Sequence, residues 1–354
     1  MLKLGIASGD WVPPSRTPDG VERWGGSGWA RIGQYAEHLP FDIVHGVLTW
    51  IRDHLGIMDA SGELHDVDVI LMQRLMYDGI SEHMVASQKK GIKIINDIDD
   101  WYWGLSPNNH AFHHNHPKKN PQANFNHYRS IISRSDLVIA STPYLASRVS
   151  EFCQAPIVVV KNTVDVERFT PREHHDTPQP VVGWVGSTNH RSGDLEILKG
   201  IFPSFLRTES IQLFHGGTVP KAPSFASRIG VNEGEVKTMP LVPHSDYPKL
   251  MVMDIGLVPL TKMPFNRCKS DIKGLEYASA GVPFIASTLD AYIELQRDLG
   301  IGRLAKNPVQ WSRHIKELSH YETRKEEAER NREMVKSRDI STGITAMADI
   351  ISNV

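Results

Sequence analysis

Cysteine is almost missing from this chain. Cys153 and Cys268 are the only two, and they share neither metal-ligand nor redox spacing. A reduced compartment is the default expectation for such usage. Long apolar runs are missing too: none approaches the roughly 20 residues needed to cross a bilayer. The opening MLKLGIASGD has an apolar segment too short for a signal core and reads as a first strand, so a cytoplasmic protein is expected. Charge of one sign is not in excess. Lys and Arg number 39 against 41 Asp and Glu, a net charge of −2, which gives no electrostatic footprint for nucleic acid. Neither G-x-G-x-x-G nor a Walker loop ending in Gly-Lys-Ser/Thr occurs after a strand.

What remains is an ordinary globular composition, 40% hydrophobic and 23% charged, in 354 residues. That length predicts about two domains. The pattern agrees, because strand–loop–helix signals run from Leu2 to Val160 and then restart at Val181 to Val185. Between them, residues 172–180 (REHHDTPQP) are polar and proline-rich, the best linker candidate. The expected domains are 1–172, joined by 338–354, and 178–337. The dense mixed charge of Lys316 to Lys336 predicts a solvated helix face, and Thr342 to Ile351 a terminal helix burying Ile344, Met347, Ile350 and Ile351.

The stretch from Asp254 to Ser287 carries the strongest chemical signal. Ile255 to Leu260 reads as a buried strand, Thr261 to Ser270 as a polar loop with Asn266, Arg267, Lys269 and Ser270, and Ile272 onward as a helix ended by Gly281 and Pro283. In open parallel sheets, ligands sit where a strand's carboxyl end leads into a helix N-terminus, a place that favours anions. Lys273 and Glu276, three apart, share one helix face. A cation for phosphates beside a carboxylate for sugar hydroxyls suits a nucleotide, while a surface salt bridge is the plainer reading.

Other candidates sit at the ends of earlier strands. Trp24-Gly25-Gly26-Ser27-Gly28 closes the loop after the first strand, either as an anion cradle at Gly26, Ser27 and Gly28 or as a tight turn with packing glycines. The strand Ile92 to Ile95 runs into Asn96-Asp97-Ile98-Asp99-Asp100. Asp97 and Asp99 could be oxygen ligands to a metal, Asp99 or Asp100 could bind substrate hydroxyls or act on a proton, or the aspartates could simply cap a loop. His110, His113, His114 and His116 invite a metal, but lie in an aperiodic polar segment with no cysteine or carboxylate among them; a mobile acceptor-side loop is the favoured reading.

Taken together, these residues resemble a GT-B glycosyltransferase of the retaining kind, glycosyltransferase family 4 and its relatives (glycosyl transferases group 1). Asn162-Thr163-Val164-Asp165 through Phe169 is similar to that family's Asn-Gly-Val-Asp…Phe stretch, with Thr163 in place of glycine. Val182 to Ser187 resembles the opening of its donor domain, and the Lys273-x-x-Glu276-Tyr277 element with Gly281-x-Pro283 resembles its donor-site core. The resemblance implies two Rossmann-like domains facing across a cleft, with the terminal helix returning to the first. It implies a nucleoside diphosphate sugar as donor, a sugar-bearing, protein or lipid-linked hydroxyl as acceptor, retention at the anomeric carbon, and no metal or other cofactor. Glu276 would take the ribose hydroxyls. Lys269, Ser270 and Lys273 would take the diphosphate, with Gly186, Ser187, Asn189 and His190 lining the same site and Gly26 to Gly28 approaching it. Asp99, Asp100 and Lys269 are the expected catalytic groups. Many relatives carry a Glu eight residues before Glu276; here Cys268 stands there, and Asn266 or Arg267 would fill the role. An epimerase acting on sugar nucleotides, or a non-catalytic sugar- or nucleotide-binding protein, are the alternatives.

Overall fold

A computed structural model describes residues 1–107, 109, 112, 124–190, 193–208 and 210–354, with residue 190 by its backbone only. The four clustered histidines fall outside or at the edge of this set: 110, 113, 114 and 116 are not among the described residues. The chain forms two compact units. The first takes residues 1–105, the described part of 111–163, and 340–354; the second takes 164–339 with the described part of 106–110.

The first unit is built on one sheet. Its parallel strands are β1 (Lys3–Ser8), β4 (Asp42–Ile51), β7 (Val69–Gln73), β8 (Lys93–Ile98), β9 (Leu137–Ala140) and β10 (Ile157–Val159). Two antiparallel strands, β5 (His54–Met58) and β6 (Leu64–His65), extend it beyond β4, and a small separate ribbon pairs β2 (Trp11–Val12) with β3 (Arg23–Trp24). The order is β10-β9-β8-β7-β1-β4-β5-β6. Successive residues of β7 go to opposite faces, Ile70 and Met72 into one core and Val69 and Leu71 into the other. A sheet covered on both faces needs such unbroken apolar strands. The helix Ile340–Ser352 closes one face, with Met347 and Ile351 in the core beside Leu4, Ile6 and Tyr35. Ile344 and Ile350, expected in the core, are only half-buried against it, because Gly343, Met347 and Ile351 form the innermost line of the helix.

The second unit repeats the plan. Its strands are β11 (Val181–Val185), β12 (Gln212–Thr218), β13 (Val236–Pro240), β14 (Ile255–Val258), β15 (Phe284–Ser287) and β16 (Arg303–Ala305). All pair in parallel, in the order β13-β12-β11-β14-β15-β16. Counted within the unit, that is 3-2-1-4-5-6, the doubly wound order of dinucleotide-binding sheets.

Two expectations change. Residues 172–180 are no free linker but part of the second unit: Arg172 N–H donates to Ala280 O at 2.8 Å, and Arg324 Nη2 to His175 O at 2.9 Å. The passage between units falls instead between Thr163 and Val164, and again between Asp339 and Ile340. The charged segment 316–336 is also not wholly solvated. It forms the end of one helix (Pro308–Ser319) and another (Tyr321–Val335), and Arg324, Glu327 and Asn331 of the latter are buried. Arg324 goes inside because its guanidinium caps the preceding helix, donating to Leu318 O and Ser319 O, each at 3.0 Å. Glu327 goes inside because it meets Arg303 at 2.8 Å. No described helix is long and apolar enough to cross a membrane.

Candidate functional site

In the second unit the sheet order reverses between β11 and β14, and there the sequence-predicted loops converge. The two strands pair only at Val182–Ile255 and Gly183–Gly256, short of their carboxyl ends. The Tyr277 hydroxyl serves the ends instead, accepting from Val185 N–H at 3.1 Å and donating to Leu257 O at 3.4 Å. Such a splayed switch point is where doubly wound sheets place ligands. Gly186 follows at once with φ +147°, a value L side chains rarely adopt, and its carbonyl faces His215 Nε2 at 2.9 Å. Ser187 is half-buried and its hydroxyl accepts from Asn189 N–H at 3.3 Å; Asn189 is exposed, in the turn Thr188–His190.

Across the switch point, the loop after β14 is more ordered than expected, forming one helical turn at Pro264–Arg267. Asp194 fastens it. Its Oδ1 accepts from Thr261 N–H (2.8 Å), Thr261 Oγ1 (2.8 Å) and Asn266 Nδ2 (2.7 Å). Asp194 is therefore a bridge between the two loops, and a short turn, Leu195–Leu198, follows it. Asn266 is buried in this bridge. Arg267 makes a two-pronged contact to Asp290, both at 2.9 Å, and that guanidinium holds the Asp290 carboxyl below its ordinary range. Lys269 extends over the Phe265 ring, its Nζ 4.4 Å from the centroid, and Lys269 and Ser270 are half-buried at the loop's end. Cys268 is fully buried.

The helix Ile272–Ser279 then presents Lys273 and Glu276 together. Lys273 Nζ donates to Glu276 Oε2 at 3.0 Å and to the Tyr247 hydroxyl, and that hydroxyl donates to the same Oε2 at 2.7 Å. Both contacts fall on one carboxylate oxygen, Oε2. Around this trio stand His244, 6.1 Å from the Tyr247 ring, and Arg168, whose Nη2 donates to His244 O at 2.7 Å. Burial pushes the His244 imidazole below its usual pKa, against the pull of Glu276. Tyr247, His244 and Arg168 were not singled out from sequence. The signal for the first two was their place, directly after β13, on the same carboxyl edge of the sheet as the other loops.

The first unit gathers a second group at its own switch point, between β1 and β7. Asp10, just past β1, accepts from Gly28 N–H at 3.0 Å and from Arg74 Nη1 at 2.6 and 2.7 Å. The glycine loop's amide thus meets an internal carboxylate; Gly26 is exposed and Ser27 half-buried beside it. Arg74 lies over the Tyr102 ring at 5.2 Å. Burial would lower its pKa, but Tyr102, Asp99, Asp10 and Asp100 together raise it. Asp99 is buried, with Oδ1 accepting from the Tyr102 hydroxyl at 3.2 Å; among the described residues, neither Oδ2 nor the buried Tyr128 hydroxyl has a hydrogen-bond partner. Asp100 is half-buried. Asp97 points elsewhere. It is fully buried on Arg31, with contacts of 2.6, 3.0 and 3.2 Å, and Arg31 Nη1 goes on to Val160 O and Asn162 Oδ1. Burial opposes the Arg31 charge, and Asp97 more than restores it. An Asp97–Asp99 metal pair therefore loses its first ligand to an internal ion pair. Among the described residues, three metal-capable side chains within ligand distance of one another occur at a hairpin turn, Asp59, Glu63 and His65, and not at Asp97 to Asp100.

No protein-family model matches the chain, and no curated protein matches it in sequence. In shape it has the GT-B fold, two Rossmann-like domains in one polypeptide. A sucrose-phosphate synthase from Thermosynechococcus elongatus superposes with a TM-score of 0.65 at 12% identity, over 99% of this chain and 98% of that one. HepE from Anabaena, crystallised with UDP and glucose, gives 0.65 at 14% identity over the whole of both chains. A glycosyltransferase from Rickettsia africae gives 0.62 at 13%, over 98% and 97%.

Proposed function

We propose that this chain is a glycosyltransferase that moves a sugar from a nucleoside diphosphate sugar to an acceptor hydroxyl. The observation that carries this reading is the Lys273–Tyr247–Glu276 group on the carboxyl edge of a doubly wound sheet. Glu276 Oε1 is left to accept hydroxyls, the ribose of a nucleotide in this reading. The Lys273 ammonium has three protons, of which two are used, and the third can meet a phosphate oxygen. Lys269, Ser270 and the N-terminus of the helix Ile272–Ser279 supply the remaining stabilisation of the leaving diphosphate. Gly186, Ser187, Asn189 and His190 border the same switch point and would contact the donor.

The finer points rest on the sequence resemblance at Asn162 to Phe169, Val182 to Ser187 and Lys273 to Pro283: a hexosyl donor, family-4-like character, retention, and leaving-group stabilisation by these cations and amides rather than by a metal ion. Asp99 and Asp100 are assigned to the acceptor hydroxyl. HepE was crystallised with UDP and with UDP-glucose, which makes UDP the first ligand to try here. The test is incubation of the chain with nucleotide sugars, with and without candidate acceptors, followed by proton NMR. Acceptor-dependent release of nucleoside diphosphate with an unchanged anomeric coupling in the product is expected. Turnover of donor to an isomer without acceptor would replace transfer by epimerisation.

A further inference from the structure

Trp50 and Tyr77 stand out on the first unit because their rings are large, apolar and exposed, 39% and 45% respectively. Both lie on the carboxyl edge of the sheet. Trp50 is near the end of β4, where the strand has run past its pairing with β1, which stops at Ala7–Gly46. Tyr77 follows β7 by four residues. The two strands flank β1, so this is the edge that also carries Asp10, Arg74 and Asp99.

The Trp50 ring is held in place. It packs over Gly79, whose position for a Cβ lies 3.7 Å from Cζ2, and edge-on to His83, with centroids 4.8 Å apart and planes at 85°. Holding a ring that is still open to solvent stores no packing energy on its outer face; it orders a flat apolar surface for something else. The surroundings are polar rather than aliphatic. Asp78 and His127 meet at 3.4 Å, with the Asp78 side chain 86% exposed, and His83 is half-buried against Trp50.

We propose that Trp50 and Tyr77 form a stacking platform for a sugar ring, so that the acceptor of the proposed transfer is itself a carbohydrate. A pyranose offers a flat face of C–H groups, which matches the electron-rich face of an aromatic ring, and a rim of hydroxyls, which matches Asp78, His83 and His127. Two rings are too little for a stable protein interface, which needs about 800 Å² on each partner. The word acceptor rests on the transfer reading above; the platform itself does not.

The experiment is affinity electrophoresis of the full chain in native gels cast with dextran, soluble starch, hydroxyethylcellulose, xylan or galactomannan, beside UDP titration by calorimetry. At least one polysaccharide retards the native chain. Trp50→Ala weakens that retardation by about tenfold, the scale of one lost aromatic contact. Tyr77→Ala weakens it less, Trp50→Phe keeps most of it, and all three leave UDP binding and the melting temperature unchanged. The proposal is overturned if no polysaccharide retards the chain, if the alanine variants migrate like the native chain in every gel, or if sedimentation shows a dimer that Trp50→Ala dissolves. Retardation that depends on Trp50 in a chain that binds no nucleotide overturns the transfer reading and leaves the platform standing.

Discussion

Glu276 receives two donors on one oxygen, and the direct consequence is testable at that residue. Glu276→Ala removes the acceptor for Lys273 and Tyr247 together, and nucleotide affinity is expected to fall at least tenfold, about 1.4 kcal/mol, in calorimetry. Tyr247→Phe, which removes one of the two donors to Oε2 without emptying the site, is expected to cost less. Arg31 and Asp97 behave differently, since both are buried and neither faces the sheet's switch point as a free group. Asp97→Asn leaves an uncompensated buried guanidinium and is expected to cost roughly 3–5 kcal/mol in denaturant unfolding, with nucleotide binding by the remaining folded protein unchanged. His45 gives a pH prediction. Burial between Trp11 and Trp24 lowers its pKa to about 4, against a small opposing pull from Glu22. The unfolded chain takes up that proton near pH 6.5, so the contribution is complete above about 6.5 and is lost as pH falls towards 4, by about 3 kcal/mol at most. His215 and His244 are shifted the same way, so the informative quantity is the difference from His45→Phe, whose stability should fall less steeply over that window.

At the scale of elements, the terminal helix lies tight against its neighbours at Gly343. A Cβ there would lie 2.5 Å from Thr163 Oγ1 and 2.7 Å from Tyr35 Cε1, and those two groups already share a 2.7 Å hydrogen bond. Gly343→Val is expected to destabilise by about 1–3 kcal/mol, seen as a lower urea midpoint for the first unit, because neither partner can retreat without breaking that bond. Elements with continuous apolar strands were legible in sequence. Val181–Val185 was placed to the residue. The hairpin strands β5 and β6 were missed, because their short apolar stretches carry no signal beyond alternation. The same limit applies to Asp194, whose role as a bridge comes from three donors in a loop far along the chain.

At the scale of the whole molecule, the fold could be read because strand–loop–helix units repeat and then restart, and that pattern survives large changes in individual residues. The Lys273–Tyr247–Glu276 group was half legible. Lys273 and Glu276 announce themselves by sharing a helix face, but Tyr247 joins them from an element 26 residues earlier, which no spacing rule reaches. The Asp97-x-Asp99 spelling left three readings open for the same reason, since the partner of Asp97 is Arg31, 66 residues away, which no spacing rule reaches either. The central claim, that the second unit holds a nucleoside diphosphate sugar at Glu276, is tested most directly by thermal unfolding of the native chain and of Glu276→Ala with UDP-, ADP-, GDP- and dTDP-sugars. At a hundredfold excess over its dissociation constant, a true donor adds about 2.7 kcal/mol to the unit that binds it. For a unit of this size that raises the melting temperature by several degrees. The prediction is that at least one donor produces this shift in the native chain and about half of it or less in Glu276→Ala; equal shifts in both, or none in either, would contradict it.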